Sequence, residues 1–233
     1  MIPISRSFSS SLGKKIIMGL TGLGLSLFLT GHLLGNLSLF LADHGPFNAY
    51  AHFLTGLGEL LYMIEAGLLI VFLAHAFYGS WVTYVNWRSR PIGYEVVTPA
   101  KGASRKTIAS STMIYTGLTI GVFVILHILF FKYGPGIAEG YKYMHDGKEI
   151  RDLYQLVYDA FGDGWYVLWY SVTLIFLGFH LSHGFWSAFQ SLGINHPVYT
   201  PFLQKLAVIF GIIIGGGFLS IPLYIFLSTG GLQ

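Results

Sequence analysis

The sequence predicts an all-α fold: a polytopic membrane bundle of five transmembrane helices, forming one domain over residues 1–233 with its N-terminus in the cytoplasm. Three observations predict it. The chain is 54% hydrophobic and 10% charged. A water-soluble domain carries about 25% charged residues, and a tenth is too few to cover a surface that faces water. Five apolar windows, about 15–40, 59–86, 109–131, 165–190 and 204–228, each reach the ~20 residues a helix needs to cross a bilayer. Glycine accounts for 30 residues, and many of them sit inside those windows, where they suit close approach between helices or between a helix and a bound group.

The elements follow in chain order. The first window is preceded by Arg6 and several serines. It has no small-residue cleavage site after an apolar stretch of signal-peptide length, so it is expected to stay as a helix. The segment 41–58, before the second window, has no Lys or Arg. The segment 132–164, between the third and fourth windows, is long enough to hold a short amphipathic helix around Ile150–Phe161. The fifth window holds Gly215, Gly216, Gly217 and Pro222. Pro222 lacks an amide donor, which predicts a bend or loosening late in that helix. No internal repeat is expected. Five spans cannot divide into equal halves, which weighs against an inverted-repeat transporter.

Charge placement sets the orientation. Arg6, Lys14 and Lys15 precede or open the first window, and the 87–108 loop carries Arg88, Arg90, Lys101, Arg105 and Lys106 against Glu95 alone. The 191–203 loop has no acid and leads into Lys205. The 132–164 segment sets four Lys or Arg residues against six acids. The positive-inside rule then puts the N-terminus in the cytoplasm and the C-terminus on the opposite face. The expected location is the cytoplasmic (inner) membrane, as a multi-pass protein with lipid around it. Nothing in the composition suggests a nucleic-acid surface. The absence of cysteine removes disulfides, thiolate metal sites, iron–sulfur ligation and covalent haem attachment from this chain.

Histidine carries the chemistry. Five of the nine histidines fall inside the windows: His32, His75, His127, His180 and His183. Ionisable groups inside a membrane are rare and usually functional, although any one of them could simply bond a neighbouring helix. His32 and His127 lie about 17 and 18 residues from the cytoplasmic ends of their windows, and His75 and His180 about 11 and 10. At ~1.5 Å per residue these make two level pairs about 10 Å apart in depth. Two imidazoles at one level can clamp a haem iron from both sides, giving an electron carrier with no open position for oxygen. Zinc would want three or four ligands at one point. A proton relay would want a graded series instead of level pairs. Gly79 and Gly184 each stand four residues after His75 and His180, with Gly35 three after His32. Residues four apart share a helix face, so a glycine there could clear a porphyrin plane. His183 stands three residues after His180 and competes with it as a ligand. The spacing of four to Gly184 and the depth match favour His180, leaving His183 for a propionate, a quinone or packing.

Glu65 is the only carboxylate well inside a window, ten residues before His75. Buried alone it would be protonated, or else paired. Its level near His32 and His127 suggests proton handling at an outer quinone site, with Glu59 a weaker candidate. Arg105 and Lys205 stand where cationic partners of the inner haem propionates are expected.

The chain resembles the di-haem cytochrome b membrane anchor of succinate:quinone oxidoreductases, in the class with a single five-helix anchor. The resemblance is carried by Gly31-His32-Leu33-Leu34-Gly35-Asn36-Leu37 and Phe47-Asn48-Ala49-Tyr50-Ala51-His52-Phe53-Leu54. It continues in Tyr62-Met63-Ile64-Glu65, His75-Ala76-Phe77-Tyr78-Gly79, Arg90-Pro91, His127 and Phe179-His180-Leu181-Ser182-His183-Gly184-Phe185. It implies two haem b groups, with iron held by His32 and His127 distally and by His75 and His180 proximally. It also implies menaquinone as the quinone, and cytoplasmic partner subunits: a flavoprotein with FAD and an iron–sulfur protein. The chain would then serve succinate dehydrogenase or fumarate reductase as its membrane subunit, with no dicarboxylate site of its own. Where some relatives have Asn, this chain has His183. The competing readings are a haem-free transporter with a histidine proton path, a haem-free structural anchor, and the di-haem cytochrome b of a formate dehydrogenase or hydrogenase. The last tends to place two ligands on one helix, at positions this chain does not fill.

Overall fold

A computed structural model describes residues 10–89 and 107–230. Among them are seven α-helices: α1 (Ser11–Asn36), α2 (His44–Gly56), α3 (Glu59–Arg88), α4 (Ile108–His127), α5 (Leu153–Gly162), α6 (Gly164–Ser191) and α7 (Thr200–Ser228). Among the described residues, strands β1 (Lys142–His145) and β2 (Lys148–Arg151) form the one sheet, an antiparallel hairpin. Five helices are long and apolar enough to span a membrane: Leu12–Phe40, Glu59–Arg88, Ile108–Lys132, Gly164–Ser191 and Thr200–Ser228. The chain is a multi-pass helical membrane protein.

Local chemistry fixes the helix ends. The Ser10 side chain accepts from the Gly13 amide at the start of α1. Thr107 and Ser110 form a reciprocal capping box at α4. Asp163 accepts from the amides of Trp165 and Tyr166 to open α6. Each device satisfies amides that a helix start leaves unpaired. The fifth span begins at Thr200, earlier than the expected 204, because Pro201 suits a first helical turn, where no amide donor is needed. That helix runs on through Pro222, which is fully buried.

Two elements in the connections were not foreseen. The 41–58 segment contains α2, and residues 142–151 form the hairpin, turning at Asp146 (φ 48°) and Gly147 (φ 74°). The amphipathic helix expected around Ile150–Phe161 is α5, which starts at Leu153 because Ile150 and Arg151 belong to β2. Together these elements form a cap over one end of the bundle. Its hub is Asp152, which bonds Asn48 Nδ2 (2.7 Å), His44 Nδ1 (3.0 Å) and the Gln155 amide (3.0 Å). Asn48 is fully buried and also accepts from the Tyr154 amide. Burial pushes the Tyr154 hydroxyl above the usual phenol range, which keeps it a donor to the Leu41 carbonyl at 2.8 Å. Arg151 donates to the carbonyls of Phe131 and Pro135 and so closes the end of the third span.

The buried core gathers around α6, α7 and the cap. α6 and α7 meet through glycine. A Cβ on Gly211 would lie 2.6 Å from the Gly178 carbonyl oxygen, and one on Gly215 would lie 2.8 Å from the Gly178 Cα. Backbone cannot yield as a side-chain tip can. Gly215→Val is therefore expected to cost about 1–3 kcal/mol through overpacking. A lowered thermal unfolding midpoint of the detergent-solubilised protein checks this, and an unchanged midpoint contradicts it. By contrast, none of the 30 residues of α3 is buried, and α4 buries only Thr116.

Candidate functional site

The structure brings four of the predicted histidines together in two pairs, one residue from each of four spans. Near the cap, His32 of α1 faces His127 of α4, with ring centroids 5.9 Å apart and planes at 88°. Toward the other end, His75 of α3 faces His180 of α6, at 6.2 Å and 69°. The His75 ring lies against Thr21, eleven residues before His32 on α1. That separation is roughly 16 Å along the helix, more than the 10 Å expected from window edges. Window edges are a poor scale of depth because helices overrun them unequally: α1 starts four residues before its window and α4 one.

Each pair has its own support. His75 Nδ1 lies 3.3 Å from Thr21 Oγ1, and His180 Nδ1 lies 3.2 Å from Thr116 Oγ1. Beside them, a Cβ on Gly22 would lie 3.2 Å from His75 Cε1, and one on Gly117 would lie 3.5 Å from His180 Cε1. In the cap-side pair, His127 Nδ1 meets the Tyr170 hydroxyl at 3.0 Å. His32 lies against Phe28 at 5.5 Å and Phe218 at 5.7 Å. His127 lies on Phe123, also at 5.5 Å.

These supports expose an internal repeat, contrary to the expectation of none. Met18, Thr21, Gly22, Leu23, Phe28 and His32 recur at the same spacing as Met113, Thr116, Gly117, Leu118, Phe123 and His127. On the following spans His75, Gly79 and Trp81 recur as His180, Gly184 and Trp186. Two tandem two-span units therefore face each other, and the fifth span lies outside the repeat. Spacing alone could have revealed this, but glycine and leucine are too frequent here for the match to stand out. Thr21, Thr116 and Tyr170 are the site residues that sequence reasoning missed.

The spacing of the paired rings matches that of two imidazoles on one metal. An imidazole nitrogen binds a metal at about 2.0–2.1 Å, and the ring centre lies roughly 1.1 Å behind it, so two trans imidazoles have centroids roughly 6.3 Å apart. The pairs stand at 5.9 and 6.2 Å. Distance alone is not decisive, since His52 and His145 on the cap also lie 6.2 Å apart. That pair joins an exposed ring to one 3.7 Å from Asp146. The intramembrane pairs differ in repeating across two units and in engaging hydroxyls at three of four Nδ1 atoms. Among the described residues, no three or more His, Cys, Asp or Glu side chains gather as a metal site. Two imidazoles alone would not complete a metal's coordination, so a metal held by either pair would have to come with donors of its own, as in a porphyrin. The thin packing of α3 and α4 suits such a group better than a side-chain core does. No family model matches this chain, and neither a curated protein nor a solved structure does.

The remaining predicted residues fall as follows. His183 lies edge-on to Trp186 at 5.7 Å. Glu65 is paired with Lys132, both side chains being about a third exposed (32% and 35%). Lys132 ends a π turn, Ile128–Lys132, that directly follows His127. Glu59 is exposed in the first turn of α3. Lys205 is exposed near the start of α7, and Arg105 lies outside the described residues. The glycines expected to clear a porphyrin have other neighbours. A Cβ on Gly79 would touch Met18 Sδ at 3.9 Å, and one on Gly184 would touch Met113 Cε at 3.8 Å. Gly35 seats the Tyr50 ring, where a Cβ would come within 2.7 Å of the hydroxyl. An apolar groove of about 330 Å³ runs behind Tyr170, lined by Leu126, Leu129, Phe130, Tyr166 and Trp169.

Proposed function

We propose that this chain is the di-haem cytochrome b membrane subunit of a succinate:quinone oxidoreductase, passing electrons between an iron–sulfur partner and menaquinone. The observation that carries the reading is the stacking of two facing imidazole pairs, at metal-spanning distance, on four successive spans. Each haem, when bound, would supply a one-electron carrier. His75 and His180 would hold one group and His32 and His127 the other. Positive-inside charge supports a cytoplasmic setting for the His75–His180 level, where the flavoprotein with FAD and the iron–sulfur subunit would dock. Lys205 and, from its sequence position alone, Arg105 are proposed to meet haem propionates on that side. The cap and the His32–His127 level then face outward, in the cytoplasmic membrane.

Quinone chemistry moves protons as well as electrons, so a proton-handling group is needed beside the site. Glu65 is proposed for that task. Its partner Lys132 stands five residues beyond His127, which sets the carboxylate on the cap side of the outer pair.

Purification of the tagged chain from its native membrane tests the assignment. The expected result is co-purification of a flavoprotein and an iron–sulfur protein, with succinate-dependent reduction of a menaquinone analogue. Isolation with subunits of a different dehydrogenase, or with none, contradicts it.

A further inference from the structure

Two threonines at equivalent places in the repeat touch the two histidines of the inner pair, and neither is explained by packing alone. Thr116 is the one buried residue of α4, 4% exposed, and it is polar. Its hydroxyl and that of Thr21 each have a single proton. Thr21 Oγ1 lies 2.7 Å from the Ile17 carbonyl and 3.1 Å from that of Met18, and Thr116 Oγ1 lies 3.1 Å from the carbonyls of Thr112 and Met113. Those carbonyls can only accept, and a hydroxyl bonded to one of them gives its proton to its own helix. Toward the histidine it has only lone pairs to offer. In that arrangement the contacts at 3.3 Å and 3.2 Å run from Nδ1–H of the imidazole to the hydroxyl oxygen. That choice leaves Nε2 without a proton, as a metal ligand must be. Gly22 and Gly117 follow directly in sequence, and a Cβ on them would come within 3.2 and 3.5 Å of the ring Cε1 atoms, so each Thr-Gly pair lies along one edge of an imidazole.

We propose that Thr21 and Thr116 are positioning residues that fix the tautomer and raise the electron density of His75 and His180, lowering the midpoint potential of the inner haem. This rests on the di-haem reading above. An acceptor on Nδ1–H makes an imidazole a stronger electron donor, and second-shell hydrogen bonding is a recognised lever on haem potential. Stronger donation favours the oxidised iron. The outer pair is held differently, by Tyr170 on one side and by aromatic rings around His32, so the threonines address one level only.

The test is a spectroscopic redox titration of the purified complex for the parent, Thr21→Val, Thr116→Val, Thr21→Ser and Thr116→Ser. The inner haem is identified as the one missing in His75→Ala. Valine keeps the shape and removes the acceptor. The expected result is an upward shift of the inner midpoint in each valine variant, a larger shift in the double variant, a return toward the parent value with serine, and an unmoved outer midpoint. Loss of the inner haem with valine but not with serine also supports the proposal. An unmoved inner midpoint with haem retained overturns it, as does loss of the inner haem with both valine and serine, which marks a packing role. A parent protein without haem overturns the di-haem reading itself, a result distinct from these.

Discussion

His75→Ala and His180→Ala are each expected to remove one and the same haem, the inner one, halving haem content and leaving the other group in place. His32→Ala and His127→Ala are expected to do the reverse. The pairing follows from facing rings at 6.2 and 5.9 Å, since a group held by both imidazoles of a pair would lose half of its protein attachment with either one. His183→Ala is expected to retain both groups, because that ring lies against Trp186 and the ring facing His75 is His180. Haem quantitation and low-temperature difference spectra on each variant decide the matter. If His32→Ala and His75→Ala lost the same group while the other survived, the pairing would be wrong. Loss of low-spin signal in His183→Ala, with retention in His180→Ala, would move the ligand by one helical turn.

The second large effect is expected at Glu65. Glu65→Gln should keep both haems and keep succinate oxidation by an artificial dye that bypasses quinone. Quinone-linked turnover should fall by about 10²-fold or more, the lower range for loss of a positioned proton-transfer group. The neutral amide keeps the shape of the side chain and can still accept a bond from Lys132, which partners Glu65 in the structure. A defect seen only with quinone therefore reports the missing carboxylate rather than a collapsed helix. Both assays run on the same membranes. Unchanged quinone turnover would take Glu65 out of the mechanism, and loss of a haem would make its role structural.

Much of this architecture was legible in the sequence because membrane insertion imposes a strong pattern. Each of the five apolar windows lies within one of the five long helices, since twenty apolar residues in a row admit few other solutions. The cap was harder. The Asp146-Gly147 turn is a recognisable hairpin signal, but the strands beside it are four residues each and largely polar, too short for alternation to show. The segment of α2 sits between two windows and is not long enough to resemble a span. Histidine levels were visible by counting residues because helix rise is constant, and the structure places the four rings in the pairs that counting suggested. What counting could not see was lateral. Gly35 turned out to seat Tyr50, and Glu65, treated as a lone carboxylate, has a lysine from another span beside it. The threonines escaped because a hydroxyl inside a membrane helix usually bonds its own backbone, which Thr21 and Thr116 also do. Only the neighbouring helix shows the second contact.

The measurement that bears most directly on the account is haem content per chain of the purified protein, read together with its reduced-minus-oxidised spectrum. The account predicts two non-covalent b-type haems per chain, both low-spin with the sharp alpha band of bis-imidazole ligation. A protein that carries no haem, or a single haem in an otherwise intact preparation, would contradict it.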